Sequence, residues 1–431
     1  MSVTTILALV IVGFALLETP LFTVIAGLSI LFLYTAGQDW LSLQLILIEI
    51  NRLASMPVLV ALPLFTLTGC LLTETGAPRR IMNFTQAVVG WLPGGLAIAA
   101  IGSCAFFTAL TGASGVTIVA MGSILYPILR RQAYQDRFSL GLLTTSGSLG
   151  LLFPPSLAVI LYGVISQISI PDIFTAALIP GILLVVVLSL YAFLYHLVIG
   201  NSAGEDRPDT TLSLQRIKTT FKEGLWDWPI IIILVAGVYG GYVTIAEVSA
   251  VILVYVIIVE CFVLKEVRFF RQLPAIMIES AMLSGAIIVI LGFALGFTGY
   301  LVDEQIPNRI LEYLTDLTGN KYLFLAGLNL FLLAVGCIMD IFSAIVIIVP
   351  IIVPIAIQYG VDPIHLCVIF LVNLEIGYST PPVGINLFIA SLTFNKPVTL
   401  LYRASIPYLL LLLLTLLLIT YLPELSLFLL K

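Results

Sequence analysis

The stretch "GLLFPPSLAVILYG" at 150–163 puts two adjacent prolines inside an apolar run that otherwise reads as a membrane helix. The same device returns at 379–390, in "STPPVGINLFIA". Proline has no amide donor and its ring blocks the i→i−4 bond, so each pair frees several main-chain groups at mid-helix. An unpaired amide or carbonyl is costly in hydrocarbon. A packing kink is the plainer reading of one such pair, but the neighbours argue for more. Thr144, Thr145, Ser146, Gly147, Ser148, Gly150 and Ser156 surround the first break; Asn373, Gly377, Ser379, Thr380, Gly384 and Asn386 surround the second. Small and hydroxylic residues let the backbone unwind. Together with freed carbonyls they can ligate a small cation, Na⁺ or H⁺, and the half-helix ends add favourable dipoles.

Composition places these breaks in a bilayer. The chain has 431 residues, 61% hydrophobic and only 10% charged, with a mean hydropathy of +1.18. Soluble domains carry about 25% charged residues. Long apolar runs recur, as in "IPGILLVVVLSLYAFLYHLVIG" (179–200) and "IPYLLLLLLTLLLITYLPELSLFLL" (406–430). These features predict an all-α polytopic membrane protein. The first Lys or Arg is Arg52, so no basic leader precedes the first apolar segment. The cysteines at 70, 104, 261, 337 and 367 lack metal-ligand spacing and read as small packing residues.

The polar stretch 201–227 falls near the midpoint and reads as a cytoplasmic connecting loop carrying a surface helix. It separates a first repeat, 1–200, from a second, 228–431. Pro127 precedes Pro154 by the same interval as Pro354 precedes Pro381, and "RRIMNFTQAVVG" (79–90) aligns with "NRILEYLTDLTG" (308–319). In the first half we expect spans near 4–18, 21–38 and 57–74, a lateral helix at 79–90, and a re-entrant hairpin at about 93–130. A broken helix at about 138–164 and a closing helix at 175–198 complete it. The second half predicts 228–243, 247–264, 276–300, a lateral helix at 307–318, a hairpin at about 323–358, a broken helix at about 364–391 and a last span at 405–428. Placing both termini in the periplasm puts all but Arg52, Arg309, Lys321 and Lys431 of the 18 Lys and Arg residues on the cytoplasmic side. The halves are then inverted, a common plan for secondary transporters.

The hairpin tips supply the remaining candidates. "TGASG" (111–115) sits between two arms too short to span alone, so Thr111, Gly112 and Ser114 should face the break at 147–156, with Gly147, Ser148, Pro154, Pro155 and Ser156. In the second half the tip "CIMDIFS" (337–343) carries Asp340 and should face Asn373, Gly377, Thr380, Pro381 and Pro382. A carboxylate at membrane depth marks a cation path, a proton relay or a structural anchor. Glu375 and Glu279 pose the same question, whereas Glu247 and Glu260 fall near membrane boundaries. Trp40, Trp91, Trp226 and Trp228 flank spans as an aromatic belt would, and neither His196 nor His365 is assigned a catalytic job.

The chain resembles the large membrane subunit of tripartite ATP-independent periplasmic (TRAP) transporters. The resemblance is carried by "LFPPSLAVILYG" (152–163), "VGCIMDIFSAIVIIVPIIVPIA" (335–356) and "VNLEIGYSTPPVGINLFIASL" (372–392), with "LPLFTLTGCLLTETG" (62–76) and "GLAIAAIGSCAFFTALTGASG" (95–115) in support. The "TGASG" tip departs from the Ser-Gly-Ser-rich form usual in that family. The resemblance implies an inner-membrane importer of an organic acid, such as a C4-dicarboxylate or sialic acid. It implies a Na⁺-driven elevator, with Na⁺ sites near 111–115 with 147–156 and near 338–343 with 377–383. Na⁺ would be the coupling ion, and no cofactor is expected. The implied partners are a separate small four-helix membrane subunit and a periplasmic substrate-binding protein; no nucleic acid is expected. A stand-alone Na⁺- or H⁺-coupled carboxylate or citrate carrier would use the same local physics. An enzyme or channel is disfavoured: no zinc motif, serine–histidine arrangement, P-loop or repeated charged ring is present.

Overall fold

The computed structural model describes residues 21–37, 44–199, 213–240, 243–305, 309, 312, 319–381 and 383–430. The expected span at 4–18, most of the lateral helix at 307–318, the loop residues 201–212, Trp40, Pro382 and both terminal residues lie outside them. Every regular element described is helical. Among the described residues six helices are long and apolar enough to cross a membrane unaided, and a bent pair, 136–152 with 157–166, forms a broken seventh with 44° between its parts. This is a multi-spanning membrane fold.

In the first half, α1 (Leu21–Gly37), α2 (Gln44–Ala54) and α3 (Ala61–Thr73) precede the amphipathic α4 (Ala77–Val89). The hairpin follows as α5 (Gly95–Thr111) and α6 (Ser114–Arg131). The broken helix is α7 (Asp136–Ser146), a 3₁₀ turn (Leu149–Leu152) and α8 (Leu157–Ser166), and α9 (Ile170–Ile199) closes the half. A surface helix, α10 (Leu214–Glu223), leads to α11 (Trp228–Gly240), α12 (Ile245–Ile258), extended by a π turn (Val259–Val263), and α13 (Leu273–Asp303). The second hairpin is α14 (Lys321–Ile338) and α15 (Ile341–Gln358), followed by α16 (Pro363–Gly377), α17 (Ile385–Phe394), α18 (Val398–Tyr421) and the short α19 (Glu424–Leu427).

Short-range chemistry fixes the ends of these elements. Gln135 precedes Asp136 in extended backbone, and acidic Asp136 in the first turn suits the helix dipole of α7. Asp362 caps α16 by accepting from the amides of Ile364 and His365 at 2.8 and 3.2 Å. Thr244 and Glu247 form a capping box at the start of α12, which accounts for the boundary position of Glu247.

Packing sorts the helices into two groups. Helix α13 lies against α1, α2 and α3, while α12 packs on α3 and α11. The hairpins, broken helices and closing helices form the other group. Within it the two halves interlock: α8 packs on α15, α17 on α6, α7 on α18 and α16 on α9. The break of the first half therefore leans on elements of the second, and the reverse. Contacts of α3 with α5 and α8, and of α13 with α15, join the groups. Helix α2 was not expected from sequence; it is short and amphipathic, its apolar side set against α13.

Candidate functional site

The first hairpin turns over at Gly112 and Ala113. Gly112 adopts φ +69°, a left-handed conformation that costs a side chain-bearing residue, and a Cβ there would press into Leu157 at 2.8 Å. Below the tip, Thr108 Oγ1 lies 2.8 Å from the Gly147 carbonyl oxygen and 2.7 Å from Thr117 Oγ1. One hydroxyl thus ties both hairpin arms to the last residue before the first break. Ser114 Oγ donates to Asn386 Oδ1 at 2.9 Å. Tip one consequently reaches both breaks, its expected partner at 147–156 and the end of the second break as well.

Helix α7 stops at Ser146. The chain then makes one 3₁₀ turn, with Leu151 N donating to Ser148 O and Phe153 N to Gly150 O, both at 3.0 Å. Ser148 Oγ donates to Thr145 O at 3.2 Å. The Pro154–Pro155 bond is cis. Ser156 restarts the helix by accepting from Val159 N at 3.4 Å. Thr144, Thr145, Ser146, Ser148 and Ser156 are all buried, so the proline pair sits in a polar-lined interior.

At the second break, Gly336 and Gly377 allow α14 and α16 to touch backbone to backbone: a Cβ on Gly377 would lie 2.7 Å from the Gly336 main chain. Gly384 N donates to Cys337 O at 3.0 Å, Cys337 Sγ to Thr380 O at 3.1 Å, and Asn386 N to Tyr378 O at 3.0 Å. The Tyr378 hydroxyl accepts from the amide of Ile341 at the tip. Pro381 lies in this loop. Asp340 is half-buried and is the N-cap of α15: Ser343 N donates to its Oδ2 at 3.0 Å and Ser343 Oγ to its Oδ1 at 2.5 Å.

Asn373 lies a turn before the break. Its Nδ2 donates to Ile369 O and to Asn329 Oδ1, each at 2.8 Å, and Asn329 Nδ2 continues to Thr420 Oγ1 at 3.0 Å. His365 lies beyond, its rings nitrogens 3.1 Å from Ser426 Oγ and 3.3 Å from Thr420 O. This chain pins α14, α16, α18 and α19 together. Glu375 is 1% exposed, and neither of its carboxyl oxygens has a hydrogen-bond partner among the described residues. Ser379 Oγ, Asn386 Nδ2 and Asn373 Oδ1 share that condition. Glu279 stands on the exposed side of α13, away from this interior. Sequence reasoning did not single out Thr108, Asn329 and Tyr378. Thr108 and Asn329 are polar residues within helices and Tyr378 follows the end of one, and only the long-range pairing reveals their task.

Each tip-and-break junction offers main-chain carbonyls, hydroxyls and, at the second, a carboxylate, the hard oxygen donors an alkali cation takes. Among the described residues no group of three His, Cys, Asp or Glu side chains is placed to hold a metal ion.

The family profile described as "Tripartite ATP-independent periplasmic transporter, DctM component" matches residues 6–425. The C4-dicarboxylate TRAP transporter large permease protein DctM of Pseudomonas aeruginosa is 36% identical over 90% of this chain and 89% of its own. The protein of that name from Rhodobacter capsulatus is 34% identical, covering 93% of each. The isethionate TRAP transporter permease protein DctMQ of Oleidesulfovibrio alaskensis is 34% identical over 88% of this chain but only 59% of its own length. Among solved structures, the Alcanivorax borkumensis YdaH transporter superposes with a TM-score of 0.63 over 96% of this chain and 97% of its own, at 15% identity, a likeness of fold. With a profile that runs nearly end to end and relatives of this identity, the chain belongs to the TRAP transporter large permease family: it is a membrane transport subunit and not an enzyme.

Proposed function

We propose that this chain is the translocation subunit of a Na⁺-driven importer of a small organic acid, working as an elevator built from two inverted repeats, 1–200 and 228–431, about the cytoplasmic loop 201–227. The observation that carries the reading is the crosswise packing of matched parts: tip one touches both breaks through Thr108 and Ser114, tip two touches the second through Cys337 and Ile341. Two groups of helices joined by few pairings, one holding every hairpin and break, are what a fixed scaffold and a moving carrier require. We place Na⁺ near 111–115 with 147–156 and near 338–343 with 377–383, where oxygens are concentrated.

The names of relatives span C4-dicarboxylates, isethionate and ectoine, which favours a compact solute carrying an acidic group. The family description supports a small membrane subunit and a periplasmic binding protein as the other two components. The charge distribution favours an inner-membrane orientation with both termini periplasmic.

Uptake into proteoliposomes holding both membrane subunits, with the binding protein outside and a panel of organic acids, tests the proposal. We expect accumulation of one acid class only with an inward Na⁺ gradient and only with the binding protein. Equal accumulation without the binding protein would favour a stand-alone carrier. Accumulation indifferent to Na⁺ would defeat the coupling assignment.

A further inference from the structure

The region between α4, α5, α10 and α11 encloses a cavity of about 180 Å³, remote from the hairpin tips. Ile81, Phe84, Phe106, Trp228 and Ile231 give it apolar walls. Its two charged lining residues, Arg80 and Asp227, are bound to each other at 2.7 and 3.0 Å, and the rest of the Arg80 guanidinium is taken up by Glu260 and Glu266. A stable buried water needs two to four polar partners, and this lining leaves few to spare. The site lies in a membrane protein where the apolar α11 begins, so hydrocarbon is the natural filling.

The surroundings carry the opposite chemistry. Arg79 on α4 and Arg216, Lys218 and Lys222 on α10 are exposed, and none has a salt bridge among the described residues. Helix α10 packs on α4, so this basic collar adjoins the apolar slot. Basic segments beside a bilayer attract anionic headgroups. We infer that this crevice is a binding site for an anionic phospholipid, one acyl chain entering the slot and the phosphate meeting the cations of α4 and α10. Gly102 and Phe106 belong to the first hairpin arm and Trp228 and Ile231 to α11, so the lipid chain wedges between a hairpin and its neighbour.

Trp228 lines the slot and reports on it directly. The test uses the full chain with Trp40, Trp91 and Trp226 changed to Phe, reconstituted in phosphatidylcholine vesicles. Phosphatidylglycerol or phosphatidylcholine with brominated acyl chains is added at equal mole fraction as quencher. We expect brominated phosphatidylglycerol to quench Trp228 about twofold more strongly. Gly102→Leu fills the slot, because a Cβ at Gly102 meets nothing within 4 Å, and should abolish the excess quenching; Ile231→Phe is the second filling variant should the first fold poorly. Lys218→Gln with Lys222→Gln should equalise the two lipids while quenching persists. Equal quenching by both lipids in the parent protein, or no response to either filling variant, overturns the site. Loss of quenching on adding the small subunit would also overturn it, by giving the slot to a protein side chain.

Discussion

Asp340 has one observed duty, as a helix cap, and one proposed, at a Na⁺ site. It caps α15 through Ser343 and lies at the tip that meets the second break. A cap needs an acceptor oxygen, whereas a cation site needs the charge. Asp340→Asn keeps an acceptor and should leave thermal stability near that of the parent while weakening Na⁺ dependence of uptake. Asp340→Ala should in addition cost about 1 kcal/mol of stability, the usual loss of a cap. Equal Na⁺ dependence in the parent and the Asn variant would reduce Asp340 to a cap alone. Asn329 offers a purely structural contrast. Replacing it by Ala takes one of two bonds from the Asn373 amide and the Asn329 donor from the hydroxyl of Thr420, both buried, at a cost of about 1–3 kcal/mol. A lowered unfolding midpoint in detergent is expected; an unchanged one would show that the chain of polar contacts contributes nothing to holding α14, α16 and α18 together.

Among the elements, α4 is the one whose anchoring is most visible. Arg80 binds Asp227 at 2.7 Å, Glu260 at 3.0 Å and Glu266 at 2.8 Å, and Gly76 N donates to Glu266 Oε2 at 2.6 Å. Burial alone would lower the affinity of Arg80 for its proton; the three carboxylates, Asp227 foremost, outweigh it and raise the guanidinium above its ordinary value. The first turn of α4 is thereby fixed to α11 and the end of α12, while its far end leads into the first hairpin. Arg80→Gln removes the one cation from three acids. We expect a loss of about 3 kcal/mol, largely recovered in the double variant with Glu260→Gln, as measured by thermal unfolding. Equal destabilisation in single and double variants would contradict the clamp. The sequence already showed most of α4 as a lateral helix at 79–90, and the breaks announced themselves through paired prolines, because both signals are local. Helix α2 escaped notice because 44–54 is too short to read as a span. The Arg80 clamp escaped because its acids lie far along the chain, on segments that only tertiary packing brings together.

At the scale of the whole molecule, repeats and packing groups cut the chain differently. The proposed repeats divide it at the midpoint, yet each packed group draws helices from both halves. The order of hairpin, break and closing helix was legible because paired prolines and short polar tips mark its parts in both halves of the sequence. The crosswise docking of α8 on α15 and α17 on α6 was not, since periodicity says which elements exist and not which of them meet. That docking brings both tip-and-break junctions into one body, where an ion bound at either can stabilise the whole. Ligand binding to the folded state raises its unfolding temperature by mass action. The most direct measurement is therefore the unfolding midpoint of the purified chain titrated with NaCl against choline chloride, in the parent and with Pro154, Pro155, Pro381 and Pro382 replaced by Ala. The account predicts a saturable, Na⁺-specific rise in the parent that is lost in the variant. The same response to both salts in the parent, or an undiminished Na⁺ response without the prolines, would contradict it.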